Sequence, residues 1–192
     1  MDTTRYQYGA GSIILFDPND DRRVANLYIE KTRELPALSL LPAGIVQGAN
    51  MFFLRSVFQK AGQFNEKMGA GTEFPCEDIE MATRASLAGF VGIQVPEPLV
   101  YHHHRRRSGS READETVCQY DIGRGAYYAS LIARGVPQAW DFWKFCSGLD
   151  RPLSRDRLAR LERELQGAAR LLADVSKEHW LRGIEEVVRS DK

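Results

Sequence analysis

The 192-residue sequence has no surplus of charge of either sign, with 26 Lys and Arg against 26 Asp and Glu. That balance removes the basic excess expected of a nucleic-acid binder or a membrane-surface helix. Cysteine is scarce. Cys76, Cys118 and Cys146 are scattered, odd in number and without metal-site spacing. They exclude a disulfide framework and a zinc ribbon, and read as free thiols in a reducing compartment. Long hydrophobic runs are lacking too. The longest, such as Ala43 to Leu54, are too short and interrupted to span a bilayer. The opening MDTTRYQYGAG has no apolar core, so it does not read as a signal peptide. Repeats and low-complexity tracts are missing. What remains, 43% apolar and 27% charged, is ordinary for one globular domain with an appended helical piece.

The most informative stretch is Gly69 to Phe90, GAGTEFPCEDIEMATRASLAGF. It opens on Gly69 and Gly71, turns at Pro75, and reaches two adjacent carboxylates, Glu77 and Asp78. Ile79, Ala82, Ala85 and Ala88 then recur at helical spacing, and Gly89 marks the stop. The carboxylates fall in the first turn, at the positive end of the helix dipole, which favours an ionised Asp78. Such a carboxylate beside flexible glycines is placed to act as a base on a ligand, or simply to cap its helix.

In chain order, residues 1–8 read as polar and loose. Ser12 to Phe16 reads as a buried strand ending in the turn DPNDD. Asp17, Asp20 and Asp21 there read as turn chemistry before metal ligation. Val24 to Ile29 fits a strand or a short helix. Ile45 to Leu54 reads as an extended segment broken by Gly48, where a glycine marks a bulge or a close approach, with Asn50 two residues on. Arg55 to Ala61 reads as a helix stopped by Gly62. Residues 90–95 form a strand, and Leu99 to Tyr101 a last one, so the histidines fall at its end. Extended alternation puts His102 and His104 on one face and His103 on the other. One face then offers imidazoles to a divalent metal or is a polar strand end. Arg105 to Arg107 meet a phosphate or are solvated.

From Arg111 the chain turns helical: Ala113 to Arg134, an aromatic helix over 138–147, and a helix capped by Ser154 with a stripe at Leu158, Leu161, Leu165 and Leu172. A separate last helix, about Lys177 to Arg189, is expected to close a hairpin on it. The expected division is a core over 9–110 and a helical region over 111–192.

The pieces DPND, GANMFFLR (Gly48 to Arg55), GQFNE, GAGTEF, EDIE with Arg84 and Gly89, and VYHHHRR occur in an order that resembles family 2 glycosyltransferases. The match covers the C-terminal half of their GT-A catalytic domain. The resemblance implies an α/β fold with a partial GT-A-like mixed sheet. It implies inverting transfer of a sugar from a nucleotide-sugar donor to the hydroxyl of a glycan or glycolipid acceptor. By position, Asp78 would be the general base and Glu77 would orient the loop or the acceptor. Gly48, Asn50, Gly69, Gly71 and Arg106 would contact substrate. His102 or His104 would hold Mn or Mg on the donor diphosphate. The family's opening βαβ unit and D-x-D motif do not precede Gly11. The expectation is therefore a transferase fragment without the nucleotide-binding half, inactive alone, or a non-catalytic binding or oligomerisation module of that ancestry. Unpaired strand edges predict a homo-oligomer or a partner that supplies the other half. The family places such chains in the cytoplasm, peripheral to the inner membrane face.

Overall fold

The computed structural model describes residues 5–190, with the backbone alone from 176 onward. The chain divides into two compact units, Met1–Tyr120 and Asp121–Lys192. The first is mixed α/β. Strands β1 (Tyr8–Ala10), β3 (Arg33–Leu35), β4 (Met51–Phe53) and β5 (Gly92–Gln94) form one sheet in the order β3-β5-β1-β4. Only the β1–β5 pair is parallel. A second, two-stranded sheet pairs β2 (Ile13–Leu15) with β6 (Val100–His102) in parallel.

The short polar opening is not loose up to residue 8. Tyr8 is fully buried and begins the central strand β1. Its flanking residues hide the signal, because a three-residue strand shows almost no alternation. Val24 to Ile29 is neither strand nor helix. It is held to β2 by the Ile13–Leu27 bridge, and β3 follows in a stretch to which the sequence pattern assigns no element.

Two helices carry the first unit. Helix α1 (Arg55–Ala61) ends at Gly62, as its sequence predicts. Helix α2 (Glu77–Leu87) buries Ile79, Met81, Ala82 and Ala85. Phe53, Phe58 and Phe64 cluster at ring separations of 5.7–5.9 Å, fixing α1 against β4. Arg84 ties α2 to the approach of the glycine loop. It pairs with buried Glu80 at 2.8 Å and donates to the carbonyls of Ala61 and Gln63.

Helix α3 (Arg111–Ala133) passes from the first unit into the second, which adds α4 (Ala139–Ser147) and α5 (Arg155–Ser190). The Ser154 hydroxyl accepts the Arg157 N–H at 3.3 Å, as expected of an N-cap. The expected hairpin is absent, since α5 is a single helix. No glycine or proline stands between Val175 and Lys177, so nothing in the chain breaks the hydrogen-bond ladder there. The side chains expected to stripe the last helix, Trp180 to Val188, lie outside the described residues.

The second unit is closed by a buried carboxylate. Glu164 has no exposed surface and accepts from Trp143 Nε1 (2.8 Å), Ser147 Oγ (2.6 Å) and Arg160 Nε (2.8 Å). A Cβ at Gly125 would fall 1.7 Å from the Glu164 carbonyl oxygen, and one at Gly167 would fall 2.0 Å from that of Ile122. Only glycine permits α3 and α5 to approach so closely. Among the described residues no helix is long and apolar enough to cross a membrane.

Candidate functional site

Helix α2 begins abruptly. Cys76 precedes it with φ +102°, an uncommon conformation for a side chain with a Cβ. This sharp entry delivers Glu77 and Asp78 to the end of the helix that faces the turn Gly48–Asn50. That turn is a single 3-10 turn leading into β4, where the sequence suggested an extended segment interrupted by glycine.

Asp78 Oδ2 accepts the backbone N–H of Gly48 at 2.9 Å, and Oδ1 accepts that of Ile79 at 2.7 Å. A Cβ on Gly48 would stand 3.9 Å from Asp78 Oδ2 and 3.9 Å from Glu77 Oε1. The bare Cα of Gly48 therefore faces both carboxylates. Gly69 closes another side: it is buried, has φ +132°, and a Cβ there would stand 3.5 Å from the Glu77 carboxyl carbon. Gly69 is thus tied to a conformation that glycine alone adopts freely. Gly48, Gly69, Glu77 and Asp78 converge although they come from three parts of the chain.

The ionisation of Asp78 runs against the dipole expectation. Burial, and next the adjacent Glu77 carboxylate, push its carboxyl up to about 6. The backbone N–H groups of Ile79, Gly48 and Asp78 itself pull the other way but are outweighed. Desolvation of a carboxylate exceeds the fraction of a charge at a helix end. Asp78 is consequently mostly ionised at pH 7 while binding a proton far more readily than an exposed aspartate.

The other expected residues divide. The Asn50 amide nitrogen donates to the carbonyls of Ser12 (2.9 Å) and Pro98 (2.7 Å), so it fastens backbone segments and offers a ligand no donor. Gly71 is exposed with open space about it. His102 lies inside β6, one residue further along than expected. The alternation is as read from the sequence: His102 and His104 share a face, with ring centroids 5.7 Å apart, while the His103 ring lies tilted against Phe16 at 5.5 Å.

Among the described residues, no group lies within hydrogen-bond geometry of the buried His102 Nδ1 and His104 Nε2. They are not equivalent. His104 Nδ1 accepts the backbone N–H of Arg106 at 3.1 Å. A neutral ring with an accepting Nδ1 carries its proton on Nε2. Burial, chiefly, holds this imidazole below its usual pKa and therefore neutral at pH 7. His104 thus turns an N–H donor inward on the side of the Asp21 backbone, while His102 Nδ1 has no hydrogen-bond partner among the described residues that would bar metal ligation. The Arg106 backbone also accepts from Asp21 N–H at 2.8 Å, and its side chain is exposed.

Tyr120 is a residue that sequence reasoning assigned only to a helix face. It is half-buried, and its phenol lies within electrostatic reach of Arg106, Asp78, Cys76 and Glu77, with burial raising its pKa. It therefore stands near both the carboxylate pair and Arg106. No local signal marks it, because the contact depends on where α3 returns. A cleft of about 350 Å³ along residues 27–33 and Gln94 contains none of these groups. Comparison with descriptions of protein families, with curated proteins and with solved structures finds no match for this chain.

Proposed function

We propose that this chain carries the acceptor side and the donor-diphosphate contacts of a GT-A-like, inverting, nucleotide-sugar-dependent glycosyltransferase. The observation that carries the reading is the convergence of Gly48 and Gly69 on the Glu77–Asp78 pair, with the Asp78 carboxyl pushed up to about 6. A general base works best with a pKa close to the working pH. In this reading Asp78 takes the proton of the acceptor hydroxyl as its oxygen attacks the anomeric carbon. The new C–O bond forms while the bond to the nucleoside diphosphate breaks, and the diphosphate leaves with the electron pair. Glu77 keeps the Asp78 pKa high and borders the acceptor space beneath Gly48. His104, neutral, donates Nε2–H to an anionic oxygen of the leaving group, and exposed Arg106 supplies positive charge beside it.

The expected divalent metal fits one of the two proposed histidines. The unpartnered Nδ1 of His102 would hold it, with remaining positions left to diphosphate oxygens. Bound there, Mn or Mg would stabilise negative charge on the leaving group. Homo-oligomerisation belongs to the same proposal, since β3 and β4 leave the main sheet with two open edges.

The test is calorimetric titration with UDP and GDP, with and without Mn²⁺, combined with hydrolysis of a panel of UDP- and GDP-sugars. Metal-dependent nucleotide binding, weakened in His102→Ala, is expected. Asp78→Asn should keep that binding and lose roughly 10²-fold or more in hydrolysis. Absence of binding to either nucleotide would overturn the transferase reading and leave a binding module.

A further inference from the structure

We propose a second divalent-cation site, formed by Asp17, Asp20 and His103 just past β6, on the side of the chain opposite to His102 and His104. Its donor atoms, two carboxylate oxygens and one imidazole nitrogen, lie within 4.8 Å of one another. The turn after β2 is fastened along the chain that follows β6. Asp21 N–H donates to the Arg106 carbonyl at 2.8 Å, and Ser108 N–H to that of Asn19 at 3.0 Å. That pairing brings the turn's carboxylates to His103.

Asp20 is the independent observation. Its side chain has no exposed surface. Oδ2 accepts the Arg105 N–H at 3.1 Å, but Oδ1 makes no hydrogen bond. The Arg107 guanidinium stands 3.6 Å from Oδ1, beyond hydrogen-bond reach, and is bonded instead to Asp17 Oδ2. An enclosed carboxylate oxygen with no hydrogen bond among the described residues, and only a long ion pair to Arg107, is costly, and a bound cation would serve it better. His103 Nε2 lies 3.9 Å from Asp20 Oδ2, too far for a hydrogen bond and near enough to share an ion.

Arg107 competes for this place. It neutralises Asp17, whose pKa is lowered first by the Asn19 N–H and next by Arg107. Its side chain is about half exposed, so it can return to water when a cation takes over at Asp17. Two carboxylates with one imidazole suit Mn²⁺ or Zn²⁺ better than Ca²⁺.

The experiment titrates the full chain, carrying His102→Ala and His104→Ala, with MnCl₂ and separately with ZnCl₂ by calorimetry. That background removes the donor-metal histidines, so the result is independent of the transferase reading. One equivalent is expected to bind. Asp20→Asn and His103→Ala should each weaken binding roughly tenfold or more, as loss of a ligand does. Arg107→Ala should tighten it several-fold, which a purely structural ion pair would not do. His103 is exposed, so its variant folds even where Asp20→Asn does not. No binding in the background and in its Arg107→Ala derivative would overturn the proposal. So would binding that His103→Ala leaves unchanged.

Discussion

Asp78 shows how one residue trades stability for chemistry. Its carboxyl titrates at about 6 in the folded chain against an ordinary 3.8. Between those two pH values the folded chain holds a proton that the unfolded chain has lost. Stability therefore falls as pH rises from about 4 to about 6, and by pH 7 the whole penalty is present. The difference corresponds to at most about 3 kcal/mol. Asparagine at this position removes the charge and can still accept the Gly48 N–H, while its amide nitrogen gives up the bond from the Ile79 N–H. Asp78→Asn should be about 1–2 kcal/mol more stable than the parent at pH 7.5, with the gain gone by pH 4. Urea unfolding at the two pH values checks this, and a variant less stable at pH 7.5 would contradict the burial argument. The parent's hydrolytic rate should rise with pH through about 6 and level off above it. A rate falling over that range would exclude an ionised Asp78 as the base.

At the scale of elements, helix α2 was legible because its pattern is local: acidic first turn, apolar spacing and a closing glycine. Helix α1 and the alternating histidines were legible for the same reason. Strand β1 was not, since Tyr8 is buried by partners at Met51–Phe53 and Gly92–Gln94 that lie far along the chain. The backbone-fastening role of Asn50 was not legible either, its amide donors being taken by the distant carbonyls of Ser12 and Pro98. Arg84 appears in the sequence as one letter of a motif, and the fold supplies its physical role. It neutralises Glu80, which is 1% exposed, and holds the carbonyls before the glycine loop. Arg84→Met should cost about 3–5 kcal/mol, because it strips the buried carboxylate of its cation. Adding Glu80→Gln should recover a good part of that loss. Thermal and urea unfolding of both singles and the double measure the coupling. Independent, additive effects would mean that the pair does not anchor the loop.

For the whole molecule the open question of association turns on magnitudes. Leu158, Leu165 and Leu172 fall seven residues apart on α5 and are 56%, 49% and 38% exposed. The sequence placed them on one stripe with inward-facing neighbours. In the structure Ala168 and Leu171 are buried while these three leucines face outward. A seven-residue leucine spacing matches the seam of a helix pair. Two copies meeting there would cover six half-exposed leucines, at about 1 kcal/mol each. That total, about 6 kcal/mol, only rivals the rigid-body cost of association, about 4–15 kcal/mol. The helix stripe alone thus supports a weak pair, and the β3 and β4 edges must add to it for a stable one. The expected result in light scattering is a dimer whose proportion grows with concentration. Leu165→Glu should shift the midpoint to higher concentration by roughly thirtyfold without loss of helicity, as the loss of two buried leucines, one from each copy, would. A dimer indifferent to Leu165→Glu would assign the contact to the sheet edges. A monomer at every concentration would remove self-association from the proposal and leave both edges for a different chain.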